Sequence, residues 1–366
     1  MARAALLMGP KRSARTSRIN ALLVERWGSA ILLVPSRRQA RARLDAILRD
    51  HDLPGAWGDP IQTFEDFAAV LLRSEGIFAE PIDEIERRML LEQAIARICG
   101  RKGSGRMEEF ADNRGFLAHA LKTITQLKQA AVDPAAFRQQ LQQRKRPSAL
   151  DCSMADLYET YQAILQEKSA YDRIGVLWEA CDLAQRLRPA AMEGVRALLL
   201  DAFDDFTPSE FRLIEAIARH VDEIFWGINA EQDNPSAVDL YAAPLRTARM
   251  VRARFAGLTE HVFSAPPPAS WTECASQELF WRNRPTSLDG LEQNIFARVY
   301  ADPVQEMEDV CRRVKGLHLE RKIPFDRIAI VCWDLQKMAR PLRTALTGFG
   351  VPFGMIQRVA IGETAP

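Results

Sequence analysis

The stretch that most constrains the fold lies near the start of the chain. The apolar segment Ala4–Met8 leads into a loop, Gly9–Thr16, with the sequence GPKRSART, and a helical pattern follows at Ile19–Val24. A strand, a loop and a helix in this order are typical of a phosphate-binding loop, whose pattern is G-x-x-x-x-G-K-[ST]. A unit of this kind belongs to a parallel sheet that helices cover on both faces.

Only part of the phosphate-loop pattern is present. Gly9 and Thr16 are in register with the first glycine and the last hydroxyl residue. The second glycine is replaced by Ala14, whose Cβ disfavours backbone angles that glycine allows, and the lysine by the bulkier Arg15. The loop is therefore either a phosphate loop that has lost its best residues or a basic strand-to-helix loop that binds no nucleotide.

A second candidate follows an apolar strand in the middle of the chain. Leu198–Leu200 runs into Asp201, as does the Mg²⁺-holding strand of nucleotide hydrolases. The next position normally carries a glutamate that activates water, and here it is Ala202, which accepts no proton. The alternative is that Asp201, Asp204 and Asp205 form an acidic turn before a helix. The candidate nucleotide-binding residues, forming a degenerate site, are Gly9, Ser13, Ala14, Arg15, Thr16, Asp201 and Ala202.

The order of strand and helix patterns predicts the architecture. Short apolar segments alternate with helices over residues 1–75 and again after 190, which indicates a parallel α/β sheet. Residues 76–189 carry only helical spacing and predict an insertion of about five helices. Further strands are predicted at Ile295–Tyr300, Arg327–Trp333 and Val351–Ile356. So few strands rarely form an independent sheet, and we expect the chain to be part of a longer protein.

The composition excludes several classes of function. Of the 366 residues 47% are hydrophobic and 27% charged, and the net charge of +1 argues against a strongly basic nucleic-acid coat while permitting a local basic face. The six cysteines form no C-x-x-C pair, so we expect reduced thiols in a cytoplasmic protein and no metal site. No apolar stretch reaches about 18 residues, and we predict no membrane span.

A basic helix face adjoins the predicted carboxyl edge of the sheet, where ligands bind in open parallel sheets. The loop, Pro35–Ser36 and Thr63 should all lie at that edge. The helix after Ser36 carries four arginines on its polar face, at Arg37, Arg38, Arg41 and Arg43. Our candidates for contacts with the DNA phosphate backbone are Arg37, Arg38, Arg41 and Thr63. The alternative is an ordinary solvated helix face.

These stretches together resemble the N-terminal, helicase-like region of the AddB/RexB family, the B subunit of ATP-dependent helicase/nucleases that process double-strand DNA breaks. More remotely, they are similar to UvrD-like superfamily 1 helicases. The most specific element is Asp201–Pro208. The resemblance covers the whole chain through the loop at 9–16, Leu33–Ser36, Ile61–Phe64, Leu199–Pro208, Glu306–Val310, Ile328–Trp333 and Val351–Phe353.

The resemblance implies a RecA-like fold and its domain organisation. Residues 1–75 and 190–285 would form a first RecA-like domain with a degenerate P-loop, 76–189 the helical insertion, and 286–366 part of a second RecA-like domain. The implied partners are DNA and the helicase/nuclease A subunit, which is the motor in the family. The family's C-terminal nuclease domain, with its iron–sulfur cluster, has no counterpart in these residues, so we expect no nuclease activity from them.

Three functions remain open. The favoured one is a catalytically degenerate DNA-binding scaffold in double-strand break repair, because loss of the water-activating base alone costs about 10²–10⁴ in rate. The second is an active P-loop ATPase or helicase that uses Arg15 in place of lysine. The third is an α/β protein-interaction module that binds no nucleotide. Binding of ATP and Mg²⁺ without turnover is also left open.

Overall fold

The computed structural model describes residues 2–11, 13–53, 55–56, 58–100, 114–144, 146, 148–231, 240–264 and 296–355. The chain divides into two compact units, Met1–Pro285 and Thr286–Pro366. The strand predicted to begin at Ile295, the strand predicted to end at Ile356 and the proline-rich segment at 265–270 reach outside the described residues.

Six parallel strands form one sheet in the first unit, which confirms the predicted α/β class. Their bounds are β1 Arg3–Gly9, β2 Ala30–Leu33, β3 Ile61–Gln62, β4 Ala197–Leu200, β5 Glu223–Asn229 and β6 Thr259–Val262. The spatial order is β3-β2-β4-β5-β1-β6. Because every pairing is parallel, all carboxyl ends of the strands lie at one edge of the sheet.

The central strands are apolar throughout because both faces of the sheet are covered. In β1, Leu6 and Met8 join one buried cluster, while Ala5 and Leu7 join another. The residues of β4 divide in the same way, and all four are buried. Successive side chains of a strand point to opposite faces, so a continuous apolar run fills two cores.

Five helices cover the sheet next to its strands: α1 Arg15–Glu25, α2 Arg37–Asp50, α3 Phe64–Ser74, α9 Pro208–Ile217 and α10 Ala242–Arg254. Side chains cap three of them at the carboxyl edge. Ser36 caps α2, Thr63 caps α3, and Thr207 forms a capping box with Glu210 at the start of α9. Pro208 follows Thr207 in the first helical position, and the Thr-Pro pair is a local sequence signal for the start of a helix.

All five helices expected between 76 and 189 are present: α4 Glu84–Cys99, α5 Arg114–Gln129, α6 Pro134–Gln142, α7 Ala149–Glu167 and α8 Arg173–Arg186. Most of them surround a core of their own, which contains Leu91, Tyr158 and Tyr161. The last helix differs, because Val176 and Leu177 of α8 belong to the core beneath the sheet. The helical segment is thus joined to the sheet through α8.

Strand β6 was not expected from the sequence. All four of its residues are exposed, and among the described strands it pairs with β1 alone, at the end of the strand order. A short polar edge strand lacks the apolar run that marks a buried strand. Pairing with Ala5–Met8 of β1 places β6 in the sheet where local sequence does not.

The described residues of the second unit contain two helices, α11 Pro303–Arg321 and α12 Leu335–Gly348, packed around Met307, Cys311 and Leu342. The three strands predicted in this unit are wrong where the structure describes them, since 296–300, 328–333 and 351–355 are irregular. The apolar run 328–333 packs only one face against the helices and leaves Val331 and Trp333 fully exposed. An apolar run predicts burial, but a strand also needs a neighbour to pair with.

Among the described residues, none of the helices combines the length and the apolar character needed to cross a membrane.

Candidate functional site

The loop at 9–16 and Asp201 lie close together at the carboxyl edge of the sheet. Strand β1 ends at Gly9 opposite Asn229 of β5, and β4 ends beside β5 with Leu200 opposite Trp226. Only β5 separates the two candidate strands. Helix α1 begins at Arg15, and no side chain of the described residues caps its N-terminus. The positive end of the helix dipole faces this edge.

Asp201 is the centre of a cluster of side chains that also contains Arg15, Thr16 and Arg43, and only 1% of the Asp201 side chain is exposed. Its Oδ2 accepts a hydrogen bond of 2.7 Å from Nη1 of Arg43 and one of 3.5 Å from the hydroxyl of Thr16. Its Oδ1 lies 3.6 Å from Nη2 of Arg15. The structure therefore brings together Arg15, Thr16 and Asp201, which the sequence singled out, and adds Arg43.

Arg43 belongs to this site, although the residue pattern of α2 predicts it on the basic outer face of that helix. Its Nε donates to Oδ1 of Asn20 over 2.6 Å, and its Nη2 lies 3.5 Å from the carbonyl oxygen of Thr16. A signal existed in the sequence, because Arg43 follows Ala40 by three positions and precedes Ile47 by four. Those two residues pack in the core, so Arg43 shares their face of the helix.

Positive groups outnumber negative ones among the direct contacts at this site, although the charge of Asp204 also acts on Arg15. Two guanidinium groups, of Arg15 and Arg43, surround the single carboxylate of Asp201. Burial lowers the pKa of Arg15 below its ordinary value, although the carboxylate of Asp201 opposes the change. Polar atoms at this place are buried without a hydrogen-bond partner among the described residues, and they are Ser13 Oγ, Arg15 Nε and Nη1, Asp201 Oδ1 and Asn229 Oδ1.

Two glycines allow the close approach of these elements. A Cβ on Gly9 would collide with the Ser13 hydroxyl and lie 2.7 Å from the carbonyl oxygen of Phe263. A Cβ on Gly227, in the middle of β5, would lie 2.5 Å from Oδ1 of Asp201 and collide with Ile19. Gly9 is part of the loop pattern, whereas the requirement at Gly227 appears only once β4 and β5 are paired.

The backbone conformation differs at Ala14 and Ala202, the two alanines that depart from the pattern of a nucleotide hydrolase. Ala14 stands just before α1 with a φ of −67°, so an alanine fits without strain. Ala202 has a φ of +67°, in the left-handed region that favours glycine. The residue after Asp201 therefore turns the chain sharply away from the strand, whatever its side chain could do chemically.

A Mg²⁺ ion does not fit this arrangement. The phosphate-loop pattern would assign it to the Thr16 hydroxyl and the Asp201 carboxylate. Here Thr16 donates to Asp201, and Arg43 holds the same carboxylate oxygen. The part of the chain that the structure describes also holds no group of three or more His, Cys, Asp or Glu side chains arranged for a metal ion.

The four DNA-contact candidates fall into two pairs. The Arg37 side chain is bound to Asp66, with Nε 3.0 and 3.1 Å from the two carboxylate oxygens. Thr63 is buried and donates to the same carboxylate over 2.8 Å while capping α3. Burial alone would raise the pKa of Asp66, but the hydrogen bonds that its carboxylate accepts from Arg37 and Thr63 lower that pKa below its ordinary value. Arg38 and Arg41 are exposed, and no ion pair to them is found within the described ranges.

The start of α2 concentrates positive charge. Arg37 and Arg38 occupy its first turn, and that turn contains no acidic residue. A helix N-terminus is already the positive end of the helix dipole, so these arginines oppose the usual preference for acidic residues there. Asp66 already supplies an anion to Arg37, so within this turn the exposed Arg38 is the arginine that would face a further anion.

A parallel sheet with a strand-loop-helix junction beside the aspartate of a nearby strand defines a RecA-like α/β protein. Comparison with known proteins gives the family, because the model of the family "ADDB, N-terminal" matches residues 11–261. The chain belongs to this family.

Relatives that carry the name of the B subunit of an ATP-dependent helicase/deoxyribonuclease are distant but match along most of the chain. The protein from Alkaliphilus oremlandii is 22% identical over 90% of this chain. The one from Symbiobacterium thermophilum is 21% identical over 88% of it, and the one from Bacillus subtilis 20% over 67%. These matches cover 29%, 29% and 22% of the relatives, so the chain spans less than a third of their length.

Proposed function

We propose that this chain is a catalytically degenerate, helicase-like DNA-binding scaffold within a helicase–nuclease that acts in double-strand break repair. The observation that carries the proposal is the cluster of Arg15, Arg43 and Asp201, in which arginine side chains hold the carboxylate that an active site would offer to a metal ion. The family assignment supplies the helicase–nuclease context.

The absence of the reactive groups supports a loss of ATP hydrolysis. Ala202 provides no base for the attacking water, which alone costs about 10²–10⁴ in rate. Arg15 is 5% exposed and engaged with Asp201, so it is not free to neutralise a γ-phosphate as the loop lysine does. Both changes affect the attack of water on the γ-phosphate, and together they remove the groups that this step of ATP hydrolysis requires.

The basic start of α2 supports DNA binding. Arg38 and Arg41 are exposed at the carboxyl edge, next to the positive end of the helix dipole. Arg37 and Thr63 hold the Asp66 carboxylate instead, and we assign them to the junction of α2 and α3. We propose Arg38 and Arg41 as the residues that contact phosphate.

The names of the relatives support a multi-subunit context. They are called B subunits of an ATP-dependent helicase/deoxyribonuclease, which implies at least one other subunit for those proteins. We propose an A subunit of the same enzyme as partner of this chain. We also propose that 1–75 and 190–285 form the first RecA-like domain, 76–189 its helical insertion and 286–366 part of the second.

A salt series tests DNA binding. Fluorescence anisotropy with labelled DNA ends should give an affinity that falls steeply with salt, because phosphate contacts release counterions. In the double variant Arg38→Ala, Arg41→Ala, the slope of log affinity against log salt should fall by about two. Arg49→Ala, at the far end of the same helix, is the matched control and should leave the slope unchanged. A slope that is the same in parent and double variant would contradict the assignment.

An ATPase assay separates the remaining functions. The chain should turn over ATP at background level with DNA present. Turnover that disappears in Thr16→Ala and Asp201→Ala would instead establish an active ATPase. Background turnover together with no DNA affinity, even with the A subunit added, would favour the protein-interaction module.

A further inference from the structure

The Arg43 guanidinium contacts both residues that the phosphate-loop pattern would assign to a metal ion. The two groups expected to hold that metal belong to Thr16 and Asp201, which are 3.5 Å apart. Arg43 contacts both residues, through Nη1 to Oδ2 of Asp201 over 2.7 Å and through Nη2 to the main-chain oxygen of Thr16 over 3.5 Å. No other element of the described structure brings a charged group to the same carboxylate oxygen.

We propose that Arg43 serves as a built-in replacement for the divalent cation, so that the pair formed by Thr16 and Asp201 is closed to metal. The inference deepens the proposed function and rests on it, because it names the residue that keeps the inherited site metal-free. It concerns a residue on α2, outside the loop and outside the strand that ends at Asp201.

Electrostatics favour a tethered cation at this place. Asp201 is almost fully buried, and a buried carboxylate is stable only with a positive partner. A guanidinium stays charged at every physiological pH and offers several donors in a fixed plane. Nε of Arg43 donates to Oδ1 of Asn20, which fixes the orientation of the guanidinium group. Its Nη atoms then point toward Asp201 and Thr16.

Geometry keeps a metal and Arg43 from sharing the site. A Mg²⁺ ion binds its oxygen ligands at about 2.0–2.1 Å in an octahedral shell that usually keeps several waters. Nη1 of Arg43 already occupies the space 2.7 Å from Oδ2 of Asp201, where such a shell would form. With Arg15 also present, a divalent cation would bring further positive charge to a carboxylate that two guanidinium groups already face.

A structural ion pair alone would explain the same contact, and the two interpretations differ in one result. If Arg43 only stabilises the fold, its removal weakens the protein and creates no metal site. If Arg43 replaces a cation, its removal exposes a carboxylate and a hydroxyl that a divalent ion can use. The new site must then depend on Asp201.

Titration with Mn²⁺, followed by electron paramagnetic resonance, tests the inference on the full chain. Arg43→Ala should bind one Mn²⁺ at least about tenfold more tightly than the parent, and the added Asp201→Asn should abolish the gain. Added Mn²⁺ should raise the melting temperature of Arg43→Ala, since a ligand stabilises the state that binds it. Arg49→Ala, an exposed arginine in the last turn of the same helix, should behave like the parent in both measurements.

Arg43→Gln provides a second variant, because glutamine keeps a hydrogen-bond donor near Asn20 and removes the charge. Folding of either variant that requires Mn²⁺ would support the inference. A folded variant with no Mn²⁺ gain, or variants that fail to fold with or without Mn²⁺, would show a structural ion pair and overturn it. So would Mn²⁺ binding by the parent that Asp201→Asn removes. None of these outcomes decides DNA binding, which the salt series measures separately.

Discussion

At the residue scale, the site depends on how closely β5 approaches the side chain of Asp201. Because Gly227 has no side chain, the Asp201 carboxylate and the Ile19 side chain can pack directly against the backbone of β5. A Cβ at Gly227 would lie 2.5 Å from Oδ1 of Asp201. The carboxylate is held by Arg43, so it has little freedom to move aside. The arrangement of Asp201 and its arginine partners therefore depends on Gly227, a residue without a side chain.

Gly227→Ala should lower the free energy of unfolding by about 1–3 kcal/mol, the usual cost of overpacking a well-packed region. Urea unfolding followed by circular dichroism measures the change. Gly100→Ala is the control, because a Cβ there makes only ordinary van der Waals contacts of 3.5 Å or more. Equal effects of the two substitutions would mean that the space at Gly227 is not required.

Ala202→Gly should raise the free energy of unfolding by up to about 1 kcal/mol. The backbone at this position has a φ of +67°, which costs an alanine energy and a glycine almost none. Greater flexibility of the unfolded chain offsets part of the gain. Ala46→Gly, inside α2, should have the opposite sign and cost about 1 kcal/mol. Thermal and urea unfolding of both variants check the signs.

At the element scale, helix ends organise the carboxyl edge. Thr207 accepts from the backbone N–H of Glu210, and its own N–H and hydroxyl donate to the Glu210 carboxylate over 2.8 and 2.9 Å. Burial raises the pKa of Glu210, and the hydrogen bonds from Thr207 oppose the rise. The capping box thus directs α9 away from the turn that follows Asp201.

Thr207→Ala should destabilise the protein by about 1 kcal/mol, the typical value of a lost N-cap side chain. Thr207→Ser keeps the hydroxyl and should recover most of that loss. Urea unfolding compares the two variants with the parent. A serine variant as unstable as the alanine variant would show that the methyl group, and not the cap, is what α9 requires.

The sequence predicts an element well where a local pattern and the tertiary environment agree. The buried strand β4, the cap at Thr207 and the five helices between 76 and 189 all have local signals that the packing reinforces. The apolar run at 328–333 misleads because strand formation needs a partner outside the run. Strand β6 has the partner without the apolar signal.

The candidate site follows the same principle. The loop and Asp201 could be identified because the phosphate-loop pattern and an apolar strand ending in aspartate are local features. The role of Arg43 depends on the distance between α2 and β4, and the role of Gly227 on the pairing of β4 with β5. Both arise from parallel pairing between segments far apart in sequence, which residue patterns alone do not encode.

At the scale of the first unit, one buried ion pair joins α5 of the helical segment to α8, the helix whose Val176 and Leu177 belong to the core beneath the sheet. Nζ of Lys128, in α5, lies 2.8 Å from both carboxylate oxygens of Asp172, which caps α8. The carbonyl oxygen of Lys128 accepts from Trp178 over 3.2 Å and from Ser209 of α9 over 2.5 Å. Burial lowers the pKa of Lys128, while Asp172 opposes the change. The position of the helical segment thus depends on a charged group that is 0% exposed.

Lys128→Met should cost about 3–5 kcal/mol of stability, because it leaves the carboxylate of Asp172 buried without its partner. Asp172→Asn keeps the cap on α8 and removes the charge, so the double variant should be more stable than the sum of the single losses predicts. Urea unfolding of all four proteins gives the coupling free energy, which we expect to exceed about 1 kcal/mol. The exposed pair Arg88 and Glu92, 3.0 Å apart, is the control and should give a coupling of about 0.3–0.5 kcal/mol. Additive losses at Lys128 and Asp172 would show instead that packing around Trp178 joins the helical segment to the sheet.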